Sequence, residues 1–397
     1  MLMVLIITLL ALLVTKLQVT ASPVEIAHGR VHMAILDTQN FVCQTEPFQT
    51  PFTSDDIAVH LSPARPGGSL PEYQSSTVWV DHVTRYNFTI CLRPSAKINF
   101  ARRVDVHWLA YLYKPSSGMS GVAYIPMWTA GTKCVLITYS ERVTAIPTVF
   151  VTVAHEGRVG RGNDASTVWT EDVTVEDFKL CLRELKNFDG AHREIKVNWL
   201  VLSALPAEWV KARLTGILTF PNTLTPPEKF IYSYCQEFPF PKQYFTVPTM
   251  IASPSHRNNI YSSRNVWPKH NAITYWIESI DTLNYTVCVK DLQPYRVHHD
   301  PILVNFLVFG DLHPCLTVNC GNHASCQAYS SSDVRCECPK SCPVYQEEYC
   351  ANDGKTYSNM CEYDQMVCNT GNEIKLHPGS CEAFVLKHGR VAVMLDR

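Results

Sequence analysis

Short segments in which apolar and polar residues alternate recur along the first three quarters of the chain. In one of them every second residue is apolar, namely Phe178, Leu180 and Leu182. Residues 195–199 show the same alternation. A period of two residues predicts β-strands that bury one face. Proline-rich and glycine-rich turns separate these segments, and no stretch has a helical period of useful length. The pattern therefore predicts small antiparallel β-sandwich domains.

Cysteine and aromatic landmarks occur in three copies with nearly constant spacing. In each copy a tryptophan precedes the second cysteine by 12 residues, and a closing aromatic residue follows that cysteine after 17 or 18 residues. An opening segment with a glycine also recurs, at Gly29, Gly121 and Gly216. Chance does not explain such spacing, so the chain contains a threefold repeat. The landmarks are Cys43, Trp79, Cys91 and Trp108 in repeat 1; Cys134, Trp169, Cys181 and Trp199 in repeat 2; and Cys235, Trp276, Cys288 and Phe306 in repeat 3.

The first residues have the features of a secretory signal. An apolar run, Leu2 to Val14, is followed by a short polar stretch that ends at Val19-Thr20-Ala21, whose small residues suit cleavage by signal peptidase. The run is shorter than the ~20 residues that span a bilayer, which disfavours the alternative of a membrane anchor. Because no later segment is long and apolar enough, we expect no membrane span, and we expect a secreted, extracellular protein.

Length and composition limit the number of domains, the class of partner and the cellular compartment. A chain of 397 residues predicts two to four domains, and the net charge of −2 argues against a nucleic-acid partner. The number of cysteines, 16, is even, as expected in an oxidising compartment. The predicted fold is mainly β. Its segments are a signal peptide at 1–21, repeats at 22–116, 117–206 and 207–312, two short cysteine-rich segments at 313–337 and 338–382, and an incomplete fourth repeat or tail at 383–397.

Each repeat has one cysteine in an early strand and one in a late strand, so the simplest pairing lies within the repeat. Each bond would close a loop of roughly 50 residues and contribute about 3 to 4 kcal/mol in the loop-entropy model. Free or cross-paired thiols are the alternative. The predicted pairs are Cys43 with Cys91, Cys134 with Cys181, and Cys235 with Cys288.

The repeats resemble H-type lectin domains, which are six-stranded sandwiches that often bind N-acetylgalactosamine. Repeat 2 matches best, through the segments 146–151, 173–178 and 195–200. The Trp-His pair with which that family contacts sugar is not reproduced, so the resemblance implies the fold more than the sugar binding. A polar glycan-binding rim before the closing strand is one interpretation of four residues, and solvated loop residues are the other. The four are His192, Arg193, His298 and His299.

Two N-glycosylation sequons fall at the same repeat position. Asn87 and Asn284 each lie four residues before the second cysteine of their repeat, and Asp177 takes this place in repeat 2. A position that accepts Asn or Asp is expected to face solvent. Strict alternation would put it on the same sheet face as the cysteine, unless a bulge intervenes.

The last ten cysteines lie among short polar loops from Cys315 onward. The segment 349–361, with Asp353-Gly354 as a turn, closely resembles the Kazal signature. Together with the cysteines before it, it resembles a follistatin-type module, which implies an EGF-like hairpin at 313–337 followed by a Kazal domain at 338–382. A helix from Glu362 to Cys368 is expected. A zinc site at Cys336, Cys338 and Cys342 is the metal alternative, and we expect no metal or cofactor. The resemblance implies the pairs Cys315–Cys326, Cys320–Cys336, Cys338–Cys368, Cys342–Cys361 and Cys350–Cys381.

Kazal domains can inhibit serine proteases through the loop after their second cysteine. In this chain the resemblance implies Val344 as the residue that fills the primary pocket of the protease, with Tyr345 next to it. A β-branched aliphatic side chain would suit an elastase-like pocket.

The final residues, 388–396, repeat the pattern of 28–37 and predict the opening strand of a fourth repeat. Coincidence is the alternative. No Gly-x-Ser-x-Gly motif and no zinc-protease motif is present, so we expect no enzymatic activity.

The predicted function is therefore that of a secreted matrix or adhesion protein. It would bind glycans or extracellular matrix components through its repeats, and the architecture resembles that of cnidarian skeletal organic matrix proteins. A serine protease inhibitor that acts through Val344 is the alternative function.

Overall fold

A computed structural model describes most of the chain. The described residues are 26–35, 41–65, 76–94, 102–129, 131–155, 165–184, 192–220, 233–257, 270–292 and 300–382. The predicted signal peptide, the predicted fourth-repeat strand, His298 and His299 lie outside these ranges.

Each repeat contributes six strands in the same order, which confirms the predicted mainly β fold. Repeat 1 has β1 (Ile26–Ile35), β2 (Val42–Pro47), β3 (Ala58–Ala64), β4 (Ser76–Val83), β5 (Asn87–Pro94) and β6 (Arg102–Tyr111). Repeat 2 has β7 (Gly118–Tyr124), β8 (Thr132–Thr138), β9 (Thr148–His155), β10 (Ser166–Glu171), β11 (Asp177–Glu184) and β12 (Ile195–Leu202). Repeat 3 has β13 (Ala212–Thr219), β14 (Ser233–Pro239), β15 (Thr249–His256), β16 (Ile273–Ile280), β17 (Asn284–Asp291) and β18 (Ile302–Phe309).

Each large sheet combines half of one repeat with half of another. Within a repeat, the first, sixth and third strands form one antiparallel half-sheet, and the second, fifth and fourth strands form the other. Parallel pairing then joins β4 to β9, β10 to β15, and β16 to β3, which gives six strands in every sheet. The three repeats therefore form a closed cycle. The sequence predicted the sandwiches but not these parallel junctions.

Glycine in the opening strand makes room for the closing aromatic ring of its repeat. Gly121 pairs with Trp199 across the β7–β12 ladder, and a Cβ atom on Gly121 would lie 2.5 Å from the indole. Gly29 faces Trp108 in the same way, while a Cβ on Gly216 would lie 3.0 Å from Phe306. The glycine and the aromatic residue that recur in the sequence are therefore direct neighbours.

The inner strands bury both faces. In β6, Val106 and Trp108 point into the core of repeat 1. Leu109, on the other face, joins Phe150 of repeat 2 and Leu307 of repeat 3 in a shared apolar cluster. This differs from the expectation of half-buried strands, because the neighbouring repeats cover the second face.

Three buried hydroxyl groups link the repeats in a second cycle. Each lies at the same position of β3, β9 or β15, and each accepts a hydrogen bond from the backbone N–H of another repeat. Because buried N–H groups that lack a partner are costly, these side chains hold the strands together. Ala252 donates to Ser62 (2.7 Å), Leu61 to Thr152 (3.1 Å) and Val151 to Ser253 (3.1 Å).

Two histidines in this interior, His60 and His107, are neutral at physiological pH. Burial lowers the pKa of His60 to about 3. Burial is also the main reason why the pKa of His107 falls to about 3. Neutral His107 accepts a hydrogen bond at Nδ1 from the backbone N–H of Met250, at 3.0 Å, and so adds another contact between repeats 1 and 3.

Disulfide bonds join the three pairs predicted within the repeats and the five pairs that the resemblance of the C-terminal module implies, and no described cysteine is free. In repeat 1, Cys43 and Cys91 face each other across β2 and β5. Phe88 and Ile90 point into the core, whereas Cys91 packs beside Trp79 in a different cluster. The bond therefore lies on the sheet face opposite the core of repeat 1, and the side chain of Asn87 alternates to that same face. The register shift of the β4–β5 ladder lies in β4, between Val80 and His82.

Among the described residues, the C-terminal module belongs to a second compact body, which comprises 239–248, 281–283 and 310–382. It has only small sheets, and its core is the cluster of Ala351, Tyr357, Tyr363 and Val367. Its elements are a 3-10 helix (Pro314–Thr317), β19 (Ser325–Ala328), β20 (Val334–Glu337), β21 (Tyr349–Ala351), β22 (Thr356–Tyr357), α1 (Met360–Thr370) and β23 (Leu376–Pro378). No helix in the described part of the chain is long and apolar enough to cross a membrane.

Adding a methyl group at Gly121 should destabilise the repeats. The Cβ of Gly121→Ala would overlap Trp199, and such overpacking costs about 1 to 3 kcal/mol. Gly216→Ala is the matched control, because its contact with Phe306 is longer and its cost should be smaller. All eight tryptophans lie at or before Trp276, so tryptophan fluorescence during urea unfolding reports the repeats alone. Equal stability of the two variants would contradict the steric explanation.

Removing one hydroxyl of the buried cycle should also be costly. Ser62→Ala leaves the N–H of Ala252 without an acceptor, and we expect a loss of about 1 to 3 kcal/mol in the free energy of unfolding. Ser140→Ala, at an exposed serine, should change stability by less than about 0.5 kcal/mol. Urea titration followed by tryptophan fluorescence measures both, and a neutral Ser62→Ala would argue against the role of the cycle.

Candidate functional site

The segment between Cys342 and Cys350 exposes an apolar side chain at its tip. Val344 is fully exposed and Tyr345 is about half exposed. The disulfide from Cys342 to Cys361 ties the start of the segment to α1. At its far end, Cys350 is buried in β21 and bonded to Cys381. Covalent anchors at both ends thus hold Val344 in water, where an apolar side chain gains nothing unless a partner covers it.

The side chain of Asn359 holds this segment in place through hydrogen bonds. Its side chain is buried, with 2% of the residue exposed. Its Nδ2 donates to the carbonyl oxygen of Pro343 at 2.9 Å and to that of Tyr345 at 3.2 Å. A single amide therefore holds the carbonyl groups of the residues immediately before and after Val344.

The same side chain begins the helix. Asn359 is the N-cap of α1, and its Oδ1 accepts from the N–H of Glu362 at 3.1 Å. Glu362 in turn accepts from the N–H of Ser358, the residue before the N-cap, at 2.9 Å, a contact that resembles a capping box displaced by one residue. At the other end, Gly371 adopts a left-handed conformation with φ of 71° and donates to Val367.

Packing of α1 makes the support rigid. Tyr363 and Val367 bury their side chains against Tyr357 and Ala351. The hydroxyl of Tyr363 also donates to the carbonyl of Ile374, at 2.6 Å. Because Asn359 is fixed by this helix, the exposed segment is held before any partner binds, which reduces the entropic cost of association.

Sequence reasoning identified Val344 and Tyr345 but missed Asn359. Its visible signal was that of an N-cap, an Asn three residues before Glu362 at the start of a helix. The two hydrogen bonds back to the exposed segment depend on tertiary structure.

One residue of the predicted glycan rim is not on the surface. His192 is only 1% exposed, and its ring stacks on Trp128 with centroids 4.5 Å apart. Its Nε2 lies 2.9 Å from a carboxylate oxygen of Glu184, which is also buried. The prediction of His192 as a rim contact is therefore wrong, because Trp128 and Glu184 of the same repeat cover it. Arg193 is exposed.

The predicted glycosylation position lies at a hairpin turn. In repeat 1 the hydroxyl of Thr84 accepts from the N–H of Asn87 at 3.2 Å, and in repeat 2 Thr174 accepts from Asp177 at 3.0 Å. Asn87 and Asn284 are each partly exposed. This placement supports the prediction that both carry glycans.

Comparison with known families supports the assignment of the C-terminal module. Residues 322–381 match the model of the Kazal-type serine protease inhibitor domain. The chain thus contains a Kazal-type domain at its C-terminal end. This domain and the eight disulfides are typical of secreted extracellular proteins. No solved structure matches the chain, so the similarity of the repeats to H-type lectins stays a prediction.

Two N-glycans are expected on protein secreted from a eukaryotic host. Removal of N-glycans by a glycosidase should lower the mass in two steps, and Asn87→Gln and Asn284→Gln should each remove one. Asp177→Asn combined with Lys179→Thr places a sequon at the equivalent turn of repeat 2 and should add a third glycan. Mass spectrometry of the intact chain measures all four forms. A mass equal to that of the bare polypeptide would contradict the prediction.

Proposed function

We propose that the protein is a secreted serine protease inhibitor that acts through the segment around Val344. One observation carries this proposal: Val344 is fully exposed while Asn359 holds the carbonyl groups on both sides of it. A segment of this kind can enter a protease active site with little loss of conformational entropy. The match of residues 322–381 to the Kazal-type inhibitor domain gives independent support.

The side chain at the tip favours one class of partner. Valine is uncharged and β-branched, so it suits a shallow apolar pocket rather than a pocket with a buried carboxylate. An elastase-like serine protease is therefore the proposed target. Burying a valine side chain contributes about 1.5 to 3 kcal/mol. Much of the affinity would then depend on this contact.

The repeats would then be a non-catalytic scaffold in an extracellular protein. A matrix or adhesion role, with glycans or matrix components as partners, stays a prediction that rests on the resemblance. The described part of the chain gives it no specific support, since His192 is buried.

Inhibition assays with the full-length chain test the proposal. We expect the wild-type protein to inhibit an elastase-like protease. Val344→Gly should raise the inhibition constant by about ten- to a hundredfold, because it removes the side chain that the pocket buries. Val210→Gly changes another exposed valine, between β12 and β13, and should leave inhibition unchanged. The absence of inhibition at micromolar wild-type protein across elastase-like and chymotrypsin-like enzymes would reject the proposal.

A second variant separates the two roles of Asn359. Asn359→Asp keeps an oxygen that accepts from Glu362, so α1 should stay capped, but it lacks the N–H groups that hold Pro343 and Tyr345. We expect an unchanged helix signal by circular dichroism and inhibition weaker by about tenfold or more, with faster cleavage after Val344. Full inhibition by this variant would show that the bracing is not needed.

A further inference from the structure

The three junctions between repeats share a set of equivalent side chains. On each junction a tryptophan lies two residues before an acidic residue. In two of the three the indole N–H donates directly to the carboxylate. These contacts are Trp169 to Glu171 at 2.8 Å and Trp276 to Glu278 at 2.6 Å.

At those two junctions the carboxylate accepts a further hydrogen bond from another repeat. Glu278 also receives Arg65 of repeat 1 at 2.8 Å, and the backbone N–H of Arg65 donates to Ile277 across the parallel pair. Glu171 also accepts from Asn271 of repeat 3, at 3.2 Å. At both junctions, protein groups therefore hydrogen-bond directly to the buried carboxylate.

The junction between repeats 1 and 2 has the shorter acid. On β4, Asp81 lies two residues after Trp79. The strand β4 pairs with β9 of repeat 2 through Val80 and Ala154. Asp81 is only 1% exposed. Within the described residues, neither carboxylate oxygen of Asp81 nor the indole nitrogen of Trp79 has a hydrogen-bond partner. His155 closes the site from repeat 2, with its ring stacked on Trp79 at 5.6 Å.

One missing methylene group explains this difference. Aspartate is shorter than glutamate by one carbon–carbon bond, about 1.5 Å, so its oxygens stop short of the indole N–H. By analogy with the direct contacts of the other two junctions, we infer that the carboxylate of Asp81 lies on the side of the indole N–H but beyond direct hydrogen-bond distance, since none of these atoms has a partner among the described residues. Leaving all of them buried without partners would cost several kcal/mol.

We propose that the junction of repeats 1 and 2 binds a buried water molecule between Trp79 and Asp81. Water fits these groups because its oxygen accepts from the indole N–H while its two hydrogens reach the carboxylate. A metal ion fits less well, because the indole N–H points a positive hydrogen at the site. Burial raises the pKa of Asp81 while the neighbouring His82 lowers it, as expected for a carboxylate without direct partners.

A crystal structure of the full chain at a resolution that shows ordered water tests the site directly. We expect one density peak within hydrogen-bond distance of both Trp79 Nε1 and an oxygen of Asp81. A direct hydrogen bond between Asp81 and a protein group, or a peak at the shorter distances of a metal ion, would overturn the proposal.

Hydrogen exchange followed by mass spectrometry gives a second, independent readout. Asp81→Glu should restore the direct contact seen at the other junctions, displace the water and slow exchange in β4 and β9 by about two- to tenfold, which corresponds to one hydrogen bond. Glu171→Asp creates the converse change and should speed exchange in β10 and β15 by a similar factor. Asp56→Glu, at an exposed aspartate, is the control and should change neither. Unchanged exchange in both junction variants would count against the proposal even if Asp81→Glu folded poorly.

Discussion

The architecture depends on the need to satisfy the edges of short half-sheets. Three strands from one repeat end in a strand whose N–H and C=O groups need partners, and an unpaired buried edge is costly. The chain meets this need by pairing β3, β9 and β15 with β16, β4 and β10 of other repeats. Because every repeat both supplies and receives such a pairing, the cycle closes and these inner edges are satisfied.

Sequence patterns predicted the parts of this fold that are local. Spacing of cysteines and aromatic residues revealed the threefold repeat, and the recurring glycines marked the opening strands. The three disulfide pairs of the repeats could be predicted because each lies within one repeat and links neighbouring strands, whereas the five C-terminal pairs were implied by the family resemblance. The cycle was not predictable in this way. Ser62 and Thr152 read as ordinary polar positions in strands, and only the arrangement of the repeats shows that each accepts a backbone N–H from another repeat.

In the candidate site, too, residues set by chain position could be predicted, and residues set by tertiary packing could not. Val344 could be predicted because its place after the second cysteine of the Kazal signature is a matter of chain position. Asn359 could not, because its bonds to the exposed segment depend on how α1 packs. His192 was placed wrongly for a related reason. A loop position before a closing strand usually faces solvent, but here Trp128 and Glu184 cover it.

Covalent continuity gives the closed cycle of repeats a property that three separate chains would lack. Separate subunits would come apart on dilution, whereas linked repeats keep a fixed effective concentration. Each place in the cycle is also encoded once, so a substitution appears at one interface and not at three. Each repeat can therefore change its sequence independently of the others. The acidic residue two positions after the tryptophan already differs in this way, since repeat 1 has Asp81 where repeats 2 and 3 have Glu171 and Glu278.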